Sequence, residues 1–417
     1  MKKRIKEICS FLSRGTSPDY VDESPYKVMN QATFSKGWLD ESNVRFTKKP
    51  TSEANIKKGD LLMASTGGGV LGKVFFYNSD DSSFYADSHV SILRDSRGRY
   101  LMKYLYYYFS TRYDEINATM VKGSTNQTEL QKNYLLAYEI DIPSLTIQQK
   151  IITFLDSKTA EIDNQISLLS KKRNAYTRLK KSIIHRAVSQ GLNPDVEMKD
   201  SGVDWIGMIP MHWEKYRLKD ISYMYSGLTG KSGEDFRCDD LNKTKAYIPF
   251  TNVLNNLVVD FTKFNQVVMD NNEQQNRVRE NDLLFLMSSE DYESIAKSSV
   301  VIGDPGEVYL NSFCRGLHFT KRVNSAFINY QLNSDKYRNA LRFEARGFTR
   351  INIKIDKIAG MFVCLPPFDE QLSIVNYLNE KCGKIDFFIK NIEQQIEKYK
   401  LLKRALINEV VTGQRAV

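Results

Sequence analysis

Apolar residues recur at steps of three and four along two long stretches of this chain. In the later stretch they fall at Ile385, Ile389, Ile392, Ile396, Tyr399, Leu402, Leu406 and Val410. In the earlier one they fall at Ile162, Ile166, Leu169, Tyr176, Leu179, Ile183 and Ala187, with Arg173 filling one position of the series. This is the seam of a long helix, a narrow apolar stripe on a polar rod. Both stretches are rich in Gln, Glu, Lys and Leu, which are strong helix formers, and no proline interrupts either. Gly191 and Gly413 stand where a glycine commonly closes a helix. Two helices of roughly 40 residues, about 60 Å each, are expected. So narrow a stripe needs a partner helix. The nearest is the other stretch, which predicts an antiparallel intramolecular coiled coil. A homodimeric coiled coil is the rival that periodicity alone permits.

Ahead of each helix the pattern shortens. Runs at 73–78 (KVFFYN), 89–93 (HVSIL), 245–250 (KAYIPF), 282–287 (DLLFLM) and 298–303 (SSVVIG) are apolar or β-branched and predict strands. Residues 99–116 and 325–343 carry helical periodicity. Each long helix therefore follows a mixed α/β domain (α+β, strand-rich).

The two halves repeat one another. Pro143 matches Pro366, Gln148 matches Gln371, Ile151 matches Ile374 and Leu155 matches Leu378. Ile162-Asp163 matches Ile385-Asp386, Tyr176 matches Tyr399, and Leu179-Lys180 matches Leu402-Lys403, all 223 positions apart. Upstream, KKGDLLM (57–63) faces RENDLLF (279–285), RIKEI (4–8) faces RLKDI (217–221), and VKGST (121–125) faces ARGFT (345–349). The period is too long for a solenoid unit, so each copy is a domain with its own helix.

Composition adds a direction. The chain has 417 residues, 59 Lys+Arg against 50 Asp+Glu, and 23 Tyr with 22 Phe. A basic, aromatic-rich surface suits a polyanion whose bases can stack. Lys171, Lys172, Arg173, Arg178, Lys180, Lys181 and Arg186 make the first helix strongly basic. A solvated face, a DNA-facing surface and a site for an acidic partner protein all fit that run. No apolar run is long enough for a transmembrane helix, and the basic start MKKRIKEICSFLSRG is broken by Lys6 and Glu7, unlike a signal peptide. Cys9, Cys238, Cys314, Cys364 and Cys382 form no C-x-x-C, and His89, His185, His212 and His318 are not paired at ligand spacing. A cytoplasmic protein with free thiols and no metal site is expected.

Two motifs suggest an enzyme and are set aside. Gly67, Gly69 and Gly72 satisfy G-x-G-x-x-G, but a phosphate-binding loop must open a helix, and here β-branched and aromatic residues follow. The other copy reads SSEDYESIAKSSV at this place, with no glycine triplet, so the loop varies as a recognition loop would. Glycine there would let the backbone approach a partner closely. LPPFDE (365–370) resembles an amino-methyltransferase motif, but Leu365 cannot accept the target amine's hydrogen bonds, and the first copy reads IPSL. The prolines serve to end a strand and start a helix. No catalytic constellation is found.

Two domains, each followed by a long helix, are joined through DSGVDWIGMIPMHWEKYRLKDI (200–221). This arrangement, that linker and LPPFDEQLSIVNYLNEKCGKID (365–386) resemble the specificity subunit of type I restriction-modification systems over essentially the whole chain. Two departures stand out. The chain starts at RIKEI without a Trp-containing lead, and the first helix opens with IPSLTIQQK instead of Pro-Pro-x-x-Glu-Gln. The resemblance implies target recognition domains at 1–143 and 217–366, long conserved helices at 144–192 and 367–417, and a linker at 193–216. Each domain would read one half of an asymmetric, bipartite site in double-stranded DNA. The helices would set the spacer and dock two methyltransferase subunits, through which restriction subunits join. S-adenosylmethionine, ATP and Mg²⁺ would belong to those partners, leaving this chain non-catalytic and without a cofactor. The alternative is a basic scaffold binding RNA or non-specific DNA.

Base reading needs cationic, amide and hydroxyl groups on loops. The candidates in the first domain are Asn30, Gln31, Ser65, Thr66, Gly67, Gly68, Gly69, Lys73, Lys122, Gly123, Ser124, Thr125, Asn126 and Gln127. In the second they are Thr251, Asn252, Ser288, Ser289, Tyr292, Lys297, Arg346, Gly347, Phe348, Thr349 and Arg350. The segments 122–127 and 346–350 rank highest, because they match between the copies and keep glycine, threonine and a base.

Overall fold

The computed structural model describes residues 1–122, 128–237, 243–270 and 272–417, excepting the Lys122 side chain. The chain forms two compact units, Met1–Ser170 with Glu393–Val417, and Lys171–Ile392.

The first unit is built on an antiparallel sheet in the order Phe11–Arg14, Val90–Arg94, Leu61–Ala64, Val74–Phe76. The second unit repeats that order with Ser222–Ser226, Cys314–Phe319, Leu283–Leu286 and Ser298–Val300. Each unit adds a second sheet containing one parallel pair, Lys27–Met29 with Phe84–Ala86 and Thr244–Ile248 with Val308–Leu310. All five strand runs expected above contribute strands.

The DLL repeat has a direct physical basis. Leu61–Ala64 and Leu283–Leu286 are interior strands, buried at every position. Alternate side chains point to opposite faces. Leu61 and Met63 enter one core while Leu62 and Ala64 enter another, and Leu283 and Phe285 divide from Leu284 and Leu286 in the same way. A strand covered on both faces reads as an unbroken apolar run. The preceding Asp60 and Asp282 are buried and take the same post. Asp60 accepts from the Lys57 amide at 2.7 Å and pairs with Arg94 at 2.6 Å. Asp282 accepts from the Arg279 amide at 2.9 Å, from the Tyr225 hydroxyl, and meets His318 Nδ1 at 2.6 Å.

The long helices run Leu145–Gln190 and Phe368–Val411. Within the first unit, the end of the second helix (Leu406, Ile407, Val410, Val411) packs with the start of the first (Ile151, Ile152, Leu155, Ile162). Within the second unit, Ala187 and Val188 share a core with Ile374, Val375, Leu378 and Cys382. The pairing is therefore antiparallel and intramolecular. Lys403 bridges Asp163 at 2.6 Å in one unit, and Lys180 bridges Asp386 at 2.7 Å in the other. The seam departs from expectation at two matched positions. Leu179 and Leu402 are 48% and 53% exposed, while the next residues, Lys180 and Lys403, turn inward and are half-buried. From Tyr176 and Tyr399 the inward face advances by four residues, not three. The lysine stems cover the groove while their ammonium groups reach a carboxylate.

Gln148 and Gln371 are buried amides with one function. Gln148 accepts from the Leu101 amide at 3.0 Å and donates to the Pro143 carbonyl at 2.9 Å. Gln371 accepts from the Asn324 amide at 2.8 Å and donates to the Pro366 carbonyl at 2.8 Å. The stretch expected as a linker is folded. Met198–Asp200 pairs with Met208–Pro210, Trp205 meets Tyr337 edge-on at 4.8 Å, and fully buried Trp213 meets Phe327 at 5.8 Å. Cys9, Cys314, Cys364 and Cys382 are free and buried, and burial pushes the Cys9 and Cys314 thiols up to about 12. Cys238 lies outside the described residues. Among the described residues no helix is long and apolar enough to cross a membrane.

Candidate nucleic-acid interface

In the second unit the helix Asp335–Glu344 gives way to a tight hairpin. Arg346 and Asn352 exchange backbone hydrogen bonds at 2.9 and 2.8 Å, and Ile351–Asn352 pairs with Ser288–Ser289. Gly347 has φ +138°, and a Cβ there would stand 2.1 Å from the Arg350 carbonyl oxygen, so only glycine closes this turn without strain. The Tyr292 hydroxyl donates to the Gly347 carbonyl at 3.1 Å. The Arg350 guanidinium lies over Phe313 at 4.9 Å and that of Arg346 near Phe343 at 5.9 Å. Phe348 and Thr349 form the exposed tip. Ser288, Ser289, Tyr292 and Arg346–Arg350, scattered in the sequence, thus meet in one place.

Beside the hairpin is an open pocket of about 650 Å³ lined by Ser288, Phe313, Arg315, Arg350, Asn352 and Lys354, among others. Its cations and amide can meet phosphate oxygens or base edges. Asp356 also lines it, so the pocket is not uniformly basic. Phe313, Arg315, Asn352 and Lys354 were not among the sequence candidates. Nothing in their local pattern marks them, because strand pairing brings them together.

Three second-unit candidates lie elsewhere or serve the fold. Asn252 is buried, accepting from the Asp260 amide at 3.0 Å and donating to the Asp260 and Lys263 carbonyls. Its side chain is spent on shaping its own loop and is not presented to a partner. Lys297 is half-buried and lines a different pocket, with Lys181, Arg338 and Arg342. Thr251 is exposed on the short helix Phe250–Asn255.

The first unit has the same plan. Val121–Lys122 pairs with Glu129–Leu130, and the Leu130 amide donates to the Ser65 carbonyl at 2.9 Å. In the second unit Ile353 donates to Met287 at 3.1 Å in the same way. Gly123, Ser124, Thr125, Asn126 and Gln127 lie outside the described residues. Thr66 joins Gln31 and His89, its hydroxyl 3.4 Å from Gln31 Oε1 and 2.7 Å from His89 Nδ1. Asn30 caps the helix Gln31–Phe34, accepting from the Ala32 and Thr33 amides. Ser65 is fully buried, its hydroxyl 2.6 Å from that of Ser91, and its side chain is closed to any partner. Arg14, another residue missed in the sequence, pairs with Glu129 at 3.3 Å and donates to the Leu130 carbonyl at 3.1 Å.

The glycine motif is a strand–turn–strand connection. Gly68 and Gly69 are exposed, Gly67 is half-buried, and half-buried Lys73 leads into the strand Val74–Phe76, so no helix begins there to hold a phosphate. Gly72 has φ +85°, and the matching residue of the second unit, Ala296, has φ +56°. Both return a backbone hydrogen bond of 2.8 Å to the preceding strand, Gly72 to Ala64 and Ala296 to Leu286. This glycine answers to the turn, whose left-handed geometry persists in the copy without it.

The model of the type I restriction modification DNA specificity domain matches residues 1–173 and 210–398. The specificity subunit of type I restriction enzyme MjaVIII from Methanocaldococcus jannaschii is 20% identical over 376 residues, covering 88% of this chain and 82% of that protein. The EcoKI specificity subunit of Escherichia coli is 24% identical over 211 residues, 50% of this chain and 44% of that one. Among solved structures, a chain from work on complex assembly and conformational transition of the type I R-M system superposes with TM-score 0.71. It is 14% identical, with 99% of this chain and 97% of that one covered. The HsdS subunit from Thermoanaerobacter tengcongensis gives TM-score 0.50 at 14% identity, with 100% and 97% covered.

Proposed function

Because this chain belongs to the type I restriction-modification DNA specificity family, we propose that each unit reads one half of a split site in double-stranded DNA. The chain itself performs no chemistry. The observation that carries this reading is the hairpin of the second unit, where hydroxyls, arginines and an exposed ring converge on rigid strand ends. A matched hairpin root occupies the same post in the first unit. Polar groups held on a rigid scaffold can read base edges, and cations flanking them position the phosphates.

The long helices dock methyltransferase subunits, and restriction subunits join through that complex. Support comes from Leu179 and Leu402, matched positions that each unit leaves exposed on a helix. An exposed leucine at the matched position of each unit suits two copies of a single partner.

The test is co-expression with the methyltransferase subunits and genome-wide mapping of methylated bases. A split motif is expected, and the pure chain alone should transfer no methyl group. Methyl transfer by the partner-free chain, or a complex that retains no duplex DNA, would refute the reading. Leu179→Glu with Leu402→Glu should abolish co-purification of the methyltransferase while leaving the fold intact.

A further inference from the structure

Three phenylalanines surround the hairpin of the second unit. Phe313 and Phe343 each have an arginine against the ring, Arg350 at 4.9 Å and Arg346 at 5.9 Å. Phe348 stands between those arginines in sequence and is 99% exposed. A single apolar residue on a surface is ordinary. This one differs in how firmly its support is built. The backbone pair Arg346–Asn352 closes the loop below it, Ile351 anchors the returning strand in the core, and the Tyr292 hydroxyl holds the Gly347 carbonyl. The loop holds the ring out into solvent, with Arg346 and Arg350 two residues away on either side in the sequence.

Resting on the DNA-reading assignment above, we infer that Phe348 is an apolar wedge. It enters the duplex at one base step within the half-site read by the second unit, while Arg346 holds a flanking phosphate and Thr349 and Arg350 face the neighbouring base edges. Proteins that unstack bases insert apolar side chains between steps and kink the duplex, and a ring offered to a base face gains stacking. The two arginines supply the attraction that brings the tip to the backbone. Unstacking is cheapest at pyrimidine–purine steps, so the second half-site should prefer such a step without hydrogen bonds to its bases. The competing geometry is a ring lying on a thymine methyl in the major groove, which leaves the stack closed.

The two geometries separate by fluorescence. The full chain is purified with its methyltransferase subunits, and duplexes carry the mapped site with 2-aminopurine at successive positions other than the methylated bases and their immediate neighbours, which the methyltransferase itself unstacks by base flipping. A mobility shift first establishes that the wild-type complex binds the duplex. Failure there overturns the DNA-reading assignment itself. Binding by the wild type should then raise 2-aminopurine emission at one step of the second half-site and nowhere in the first. Phe348→Ala should lose that rise and weaken binding roughly tenfold, the scale of one base–aromatic stack. Phe348→Trp should restore both. Both substitutions lie at an exposed tip, so melting of the chain should not change. A wild-type complex that binds without any emission rise, or a rise that survives Phe348→Ala, would overturn the wedge.

Discussion

At the scale of single residues, the groups that repeat most faithfully between the halves hold backbone, and those that differ face outward. Gln148 and Gln371 each join the start of a long helix to the strand end before it and to a neighbouring segment, through buried amides. Replacing either by alanine leaves a buried amide N–H and a carbonyl without partners, at a cost of about 1–3 kcal/mol per group. Gln371→Ala should therefore lower the denaturation midpoint clearly in a urea titration, whereas Gln149→Ala, one residue from the first amide and exposed, should not. Equal effects would mean that the buried amide holds no special share of the stability. The Gln match was legible in the sequence, but its meaning was not. A buried amide and an exposed reader look alike as letters. Ser65 and Asn252 were expected to meet DNA for that reason, and the structure spends both on internal hydrogen bonds.

At the scale of elements, periodicity carried the most information. Both long helices and the five strand runs follow from the spacing of apolar residues, because burial selects side chains by direction, whereas the helices' antiparallel pairing rests on the presence of two matched seams in one chain. Extrapolated spacing failed where a charged residue could serve the groove. A lysine stem is apolar and its head is not, so a hydrophobicity pattern discards Lys180 and Lys403 and promotes Leu179 and Leu402 in their place. The hairpin at 198–210 leaves no periodic signal in the sequence, because its two strands are only three residues each. The correction makes a sharp contrast testable. Ile392 is 5% exposed and Leu402 is 53% exposed, yet both belong to one apparent heptad series. Ile392→Asp buries an unpaired charge and removes packing, and should cost several kcal/mol. Leu402→Asp should change thermal stability by less than about 0.5 kcal/mol, as surface substitutions do. Equal destabilisation would return Leu402 to the seam.

At the scale of the whole molecule, two units share a strand order but not the residues at their reading edges. Thr66-Gly67-Gly68-Gly69 in the first stands where Ser288-Ser289-Glu290-Asp291 stands in the second. One edge is nearly neutral with bare backbone, and the other carries hydroxyls, carboxylates and a neighbouring arginine pair. Two edges so different cannot favour the same bases, so the site should be asymmetric as well as split. Thr349 and Arg350 belong to the second unit alone. Substituting both with alanine should relax only the half-site read by that unit, at roughly 1–3 kcal/mol if a bidentate base contact is lost. The helices make the complementary case, since each passes from one unit into the other. A seven-residue insertion in both helices preserves the seam and should change the number of unread base pairs while both half-sites stay as they were. Mapping methylated sites for the wild type, the Thr349/Arg350 variant and the insertion variant, each with its methyltransferase, decides the matter. The loop variant should alter one half and keep the spacer, and the insertion should do the reverse. A palindromic wild-type motif, or a loop substitution that changes both halves together, would mean that the units do not read independently.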